Sequence, residues 1–137
     1  MKQIEPKELR IGNYFMEYGE LSKFAGDFYH LLDCKPIELT PEWMQNFGFA
    51  HKQRSSEYFN HKYYFKEIAN NNGNKKFIEV TIVESGHSDV TKYEVILFDE
   101  YRWGEIKEAR VFWSNELHVH TLQNLVFALS GNDLEIK

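Results

Sequence analysis

From residue 57 onward the chain alternates apolar and polar positions with a period of two. Tyr63 and Phe65 share one side and Tyr64 takes the other. Ile78, Val80 and Ile82 alternate with Glu79, Thr81 and Val83, and Tyr93, Val95 and Leu97 with Lys92, Glu94 and Ile96. The same pattern continues from Ile106 to Trp113. Successive side chains of a strand point to opposite faces, so these runs predict four strands, each with one apolar face. Short connections between them imply an antiparallel meander with at least one buried face. Asn70-Asn71-Asn72-Gly73-Asn74 is the turn of one hairpin, because Asn and Gly tolerate the positive φ that tight hairpins need. Ser114-Asn115 is expected to turn into a last short strand, Glu116–Val119.

Elsewhere the period changes. Leu39-Thr40-Pro41-Glu42-Trp43-Met44-Gln45-Asn46-Phe47-Gly48-Phe49 carries start and stop signals for a short helix over 41–47. Thr40 is its N-cap, and Pro41 suits the first position because its missing N–H is not needed there. Glu42 favours the positive end of the helix dipole. Gly48 is the left-handed residue after the helix, with Phe49 folding back towards Met44. Trp43, Met44 and Phe47 are expected to face inward. A second helix, about Leu122 to Ser130, shows an apolar stripe at Leu122, Leu125, Val126 and Leu129, with Thr121 as cap and Gly131 as terminator. The N-terminal part reads as three short strands, Leu9–Tyr18, Leu21–Phe24 and Phe28–Asp33, with a turn at Gly19-Glu20; these suit a bent sheet or a small barrel. The expected fold is α+β: an antiparallel sheet with two short helices packed on it, in a single domain over 1–137.

The 137 residues are 42% hydrophobic and 16% aromatic, which excludes a disordered chain. Cys34 is the only cysteine, so no intrachain disulfide forms, which fits a reducing compartment. There is no apolar run at the start and no long apolar stretch elsewhere, so the expected setting is cytoplasmic, without a membrane span. The net charge of −5 is spread unevenly: −3 over residues 1–50, +4 over 51–78 and −6 over 79–137. The overall sign argues against a sequence-independent nucleic-acid binder. The basic middle segment keeps a local site open.

Few residues suggest chemistry. His118 and His120 are two apart, so on a strand both imidazoles would share a face. A metal site needs at least a third ligand, and spacing provides none; His87, Asp89 or Glu116 would have to arrive through tertiary folding. No metal is therefore expected, and His120 is expected to cap the last helix or bond a nearby carbonyl. His87-Ser88 and His120-Thr121 lack the spacing of a two-histidine phosphoesterase. Cys34 follows Leu31-Leu32-Asp33 and reads as a buried, inert thiol. The acidic pair Asp99-Glu100 reads as solvated charge. No nucleophile elbow, phosphate loop, zinc-protease motif or dinucleotide fingerprint occurs, so no catalytic residue and no cofactor are assigned.

Two surface stretches remain. The basic, aromatic-interleaved segment 51–77 contains Lys52, Arg54, Lys62, Lys66, Lys75 and Lys76 with Tyr58, Phe59, Tyr63, Tyr64 and Phe65. Cations beside aromatic faces are what a single-stranded nucleic-acid site needs. The same pattern also describes a hairpin whose aromatics are core and whose lysines shield an edge. Asp99-Glu100-Tyr101-Arg102-Trp103-Gly104 lies between two strands, and Tyr, Arg and Trp are the residues enriched at binding hot spots. At a loop tip, Tyr101, Arg102 and Trp103 form an anchor for a protein partner; within running strands they are cross-strand packing.

Three further stretches occur in a distinctive order: Glu8-Leu9-Arg10-Ile11-Gly12-Asn13-Tyr14, then Lys35-Pro36-Ile37-Glu38-Leu39-Thr40-Pro41-Glu42-Trp43 before Phe47-Gly48-Phe49, and Val119-His120-Thr121-Leu122-Gln123-Asn124-Leu125-Val126-Phe127-Ala128-Leu129-Ser130-Gly131. This order resembles an uncharacterised family of small proteins of Bacteroidetes, their mobile elements and phages. The likeness spans nearly the whole chain, weakest in the middle, with the last stretch its most specific part. It implies a bacterial or phage cytosolic setting and brings no activity, cofactor or catalytic residue. The expected function is a non-enzymatic binding or accessory protein that acts through a protein partner or self-association. The alternative is a nucleic-acid-binding module built on 51–77, using Lys52, Arg54, Lys62, Tyr64, Lys66, Lys75 and Lys76.

Overall fold

The computed structural model describes residue 4 and residues 8–26, 34–55, 59–85 and 91–136. Its main element is a five-stranded antiparallel meander in sequential order: β4 (Ala50–Ser55), β5 (Phe59–Asn71), β6 (Asn74–Ser85), β7 (Thr91–Glu100) and β8 (Ile106–Ser114). A separate three-stranded sheet has the order β2-β1-β3, with β1 (Tyr14–Glu17), β2 (Glu20–Lys23) and β3 (Cys34–Lys35). Two helices complete the fold, α1 (Pro41–Asn46) and α2 (Val119–Ser130). The fold is α+β with antiparallel sheets. Among the described residues the N-terminal strands form an open sheet rather than a barrel. The expected strand Phe28–Asp33 lies outside the described residues.

Helix α1 follows its sequence signals closely. The Thr40 hydroxyl accepts from the Trp43 N–H at 3.4 Å, and Pro41 occupies the first turn. At the other end Gly48 N–H donates to the Gln45 carbonyl and Phe49 N–H to the Met44 carbonyl, with Gly48 at φ 82°. That pair of bonds satisfies two carbonyls that the helix leaves open, and the left-handed turn suits glycine. Met44 and Phe47 are fully buried and Trp43 partly so. The Asn72-Gly73 turn joins β5 to β6 as expected, with Asn72 and Gly73 both at positive φ.

Several boundaries differ. Residues 9–13 are not strand: Gly12 takes a positive φ, and pairing begins at Tyr14. Strand β4 carries Ala50-His51-Lys52-Gln53-Arg54-Ser55, with no apolar alternation, because an edge strand need not bury a full face. The expected strand at Glu116–Val119 is only an isolated bridge between Glu38 and His118. Helix α2 starts at Val119 with His118 in the cap position, so Thr121 lies inside the helix and caps nothing. Gly131, at φ 75°, ends it as expected.

Parity separates the meander into two faces. The inner face presents Tyr64, Ile78, Val80, Ile82, Tyr93 and Val95, all buried. Met44, Phe47 and Leu39 close over it from the α1 side, and Leu122 and Val126 from α2. Tyr14 of β1 joins this core, whereas Phe15, Phe24, Cys34, Ile4 and Leu9 form a smaller one.

Buried polar side chains attach α2 to the N-terminal segment. Gln123 accepts from the Tyr14 N–H at 2.9 Å and donates to the carbonyls of Gly12 and Leu134. Asn13, fully buried, donates to Asn124 Oδ1, and Asn124 donates in turn to the Glu8 carbonyl. An unpaired buried amide is costly, so each of these side chains completes backbone groups that no strand or helix partner reaches.

Candidate functional site

Among the described residues, nothing covers the outer face of the meander. Its rows follow from the register. Tyr63 of β5 lies opposite Thr81 of β6, which lies opposite Glu94 of β7 and then Trp113 of β8. The next row is Phe65, Glu79, Ile96 and Arg110; the next is Glu67, Phe77, Phe98 and Glu108. Phe65 is 40% exposed, Trp113 50% and Ile106 63%. None of these apolar residues belongs to either core, and among the described residues no helix packs on this side. Single exposed apolar residues are ordinary, but a contiguous patch rimmed by charge marks a contact surface.

Three hollows indent the face. The largest, about 540 Å³, is lined by His61, Tyr63, Glu79, Thr81, Ile96 and Trp113 among others. A second, about 320 Å³, lies between Lys52, Tyr63, Phe65 and Glu79. A third, about 250 Å³, has Phe65, Phe77, Phe98 and Ile106 around Glu79 and Glu100. Glu79 borders all three. Its carboxyl titrates above the usual range because burial disfavours the charged form, and the carboxylates of Glu108 and Glu94 add repulsion against a weaker pull from Lys52. Beside it, Arg110 pairs with Glu94 at 3.2 Å, and Arg110 and Lys92 lie 5.5 and 5.9 Å from the Trp113 ring centre.

Tyr101, Arg102 and Trp103 occupy the tip of the β7–β8 hairpin. Tyr101 N–H donates to the Glu105 carbonyl and Gly104 N–H to the Tyr101 carbonyl, which closes the turn. The Tyr101 and Trp103 rings stack at 4.8 Å with 9° between planes, and the indole N–H reaches Glu105 at 3.1 Å. Trp103 remains 65% exposed. The Arg102 N–H donates to Asn74 Oδ1, so the β5–β6 and β7–β8 turns lean on each other; a Cβ at Gly73 would meet that of Arg102 at 3.1 Å.

The basic segment does not converge on one surface. Lys52 lies on the outer face, opposite Tyr63. Lys62 and Lys66 have the opposite parity: Lys62 pairs with Glu84 at 3.5 Å, and Lys66 lies 6.0 Å from the Phe49 ring centre. Lys75 pairs with Glu67 and Lys76 with Asp99, both near the tip. Tyr64 is 1% exposed and stacks on His51, so it offers no ring to a base. Arg54 is in β4, and its side chain lies outside the described residues, as does Tyr58.

His118 and His120 flank the start of α2 rather than sharing a strand face. Their rings still stack, at 5.8 Å and 12°. His118 Nε2 contacts Glu116 at 2.8 Å, and His120 Nε2 is 3.9 Å from Glu8. His120 lies within the helix and caps nothing; its buried Nδ1 has no hydrogen-bond partner. Burial, then the neighbouring His118, pushes its pKa down, which favours the neutral ring. Among the described residues no group of three or more His, Cys, Asp and Glu is arranged to hold a metal ion. His87 and Asp89 lie outside the described residues, and Cys34 is buried.

The outer face was not singled out by sequence reasoning. Its signal was present: Phe77, Val83, Ile96 and Phe98 stand at the positions that alternate with the core residues, so both faces of β6 and β7 carry apolar side chains. The fold and this face define a sheet protein with an open apolar surface. Comparisons with protein-family models, curated proteins and solved structures match nothing to this chain.

Proposed function

We propose that this is a non-enzymatic binding or accessory protein that works through protein–protein contact, with the outer face of the five-stranded sheet as its contact surface. The observation that carries this reading is the contiguous open patch of Tyr63, Phe65, Ile96, Phe98, Ile106 and Trp113. Aromatic side chains with few rotamers and a rim of charges have the composition of an interface centre. The tip formed by Tyr101, Arg102 and Trp103 is a second contact element at the end of the same hairpin. The family resemblance supports a cytoplasmic setting in a mobile element or phage. No helix among the described residues is long and apolar enough to cross a membrane.

The nucleic-acid alternative draws less support. Its cations are divided between two faces, and Lys62, Lys75 and Lys76 are already paired with carboxylates, so fewer are left to neutralise phosphates.

Photocrosslinking tests the reading. A photoreactive phenylalanine analogue at Phe65, Trp113 or Trp103, expressed in the cells that encode the protein, is expected to give discrete protein adducts. The same analogue at Gln45, on the exposed side of α1, is expected to give none. Equal labelling at all four positions, or none at Phe65 and Trp113, contradicts the proposal.

A further inference from the structure

The central residue of the outer face identifies the chemistry of what covers it. Glu79 stands on β6, the middle strand, between Phe65 on β5 and Ile96 on β7. Of the carboxylates nearby, Glu94 pairs with Arg110 and Glu67 with Lys75, whereas Glu79 sits at the centre of the face and borders all three hollows. Among the described residues Glu79 has neither an ion-pair partner nor a hydrogen bond. An apolar partner laid over this face would bury a carboxylate whose cationic neighbour, Lys52, exerts a weaker pull than the repulsion of Glu108 and Glu94. That burial is unfavourable unless a further cation comes with it. A nucleic acid would bring phosphates to a carboxylate and is excluded on the same ground. A symmetric contact with a second copy brings a patch against itself. Centred on β6, it would set Glu79 against Glu79 with Glu94 and Glu108 close by, adding repulsion to desolvation.

We infer that the outer face takes a protein segment that presents an arginine or lysine between apolar side chains, with the cation directed at Glu79 and the apolar groups at Phe65, Phe98 and Ile96. This rests on the reading of the face as a protein-contact surface. The indole of Trp113 already has Lys92 and Arg110 of its own chain within 6 Å. The incoming cation therefore goes to Glu79, beside the rings of Tyr63 and Phe65 and on the side away from Lys52, which lines the same hollow. Charge-assisted bonding at a site shielded by apolar neighbours is worth more than at an open surface.

The test uses a synthetic peptide of alternating leucine and arginine, about ten residues so as to cross the roughly 20 Å width of the sheet, with two counterparts in which citrulline or glutamate replaces arginine. Binding to the full chain is followed by backbone amide NMR. The arginine peptide is expected to shift resonances of β5, β6 and β7. Citrulline is expected to weaken binding about tenfold, the scale of one charge-assisted bond, and glutamate to abolish it. Glu79→Gln is expected to weaken the arginine peptide by a similar factor, and Glu79→Lys to transfer preference to the glutamate peptide. Glu20→Gln, on the three-stranded sheet, is expected to change nothing.

Equal binding of the arginine and citrulline peptides overturns the inference while leaving the face as a contact surface. So does an arginine effect that Glu20→Gln reduces as much as Glu79→Gln, because it reports net charge alone. Concentration-dependent dimerisation that Phe65→Asp abolishes assigns the face to a second copy and overturns it too. Failure of the underlying reading is separate: it shows as missing photocrosslinks at Phe65 and Trp113.

Discussion

The two faces of one sheet, built from the same five strands, have opposite fates. On the inner face Ile78, Val80 and Val95 are fully buried, sealed by Met44, Phe47, Leu122 and Val126. One residue along, the outer face carries Phe77, Glu79 and Ile96 only half-buried, and Phe65 and Trp113 exposed. Both faces are rich in apolar groups. What separates them is polarity at the centre: the inner face has none on its middle strand between Ile78 and Ile82, whereas the outer face has Glu79 and Thr81. An inner face of this kind drives folding. The outer one tolerates water and remains available, which is the property of a contact surface.

The largest effect separating the faces should come from matched truncations. Leu122→Ala on α2 opens a cavity against the inner face and is expected to cost about 3 kcal/mol in denaturant unfolding. Phe65→Ala is expected to cost less than about 1 kcal/mol, because its ring is already in contact with water. Equal losses would mean that the outer face is covered. Gln123→Leu comes next. It leaves the Tyr14 N–H and the Gly12 and Leu134 carbonyls unpaired, at about 2 kcal/mol. Thr40→Ala removes the cap of α1 and should cost about 1 kcal/mol by the same measurement.

The smallest effect has the opposite sign. The raised pKa of Glu79 means that the folded chain binds its proton more readily than the unfolded chain does. Ionised Glu79 therefore destabilises the fold, fully so above its raised folded pKa, and the penalty fades as pH falls through that value towards the unfolded one. Glu79→Gln is expected to raise thermal stability at neutral pH by no more than about 0.5 kcal/mol, discounted because the group is partly exposed. That gain should disappear in acid. A loss of stability at neutral pH would show that Glu79 already has a partner within the chain.

Much of this architecture was legible from local chemistry. Thr40, Pro41 and Gly48 gave both ends of α1, because caps act within a few residues. Alternation placed Tyr64 opposite Tyr63 and Phe65, and Asn72-Gly73 marked a hairpin. Strand β4 was not legible, since its polar residues earn their place by edge pairing with β5. Gln123 and Asn13 carry no local signal of burial, because their partners, the Tyr14 N–H and the Asn124 side chain, arrive only through tertiary folding. The outer face escaped for a related reason. Where both sides of a strand carry apolar residues, period alone does not say which side the helices will cover. The hairpin tip at Tyr101–Trp103 was visible from Gly104 and its acidic neighbours, whereas the scattering of the basic residues over two faces depended on register.

The most direct test of the outer face as a site for a basic, apolar partner is one crosslinking yield. The photoreactive analogue is placed at Phe65, with and without Glu79→Lys, in the cells that encode the protein. A discrete protein adduct is expected, with a yield that falls about tenfold when the charge is reversed. An adduct of undiminished yield in the Glu79→Lys background would contradict this assignment of the face.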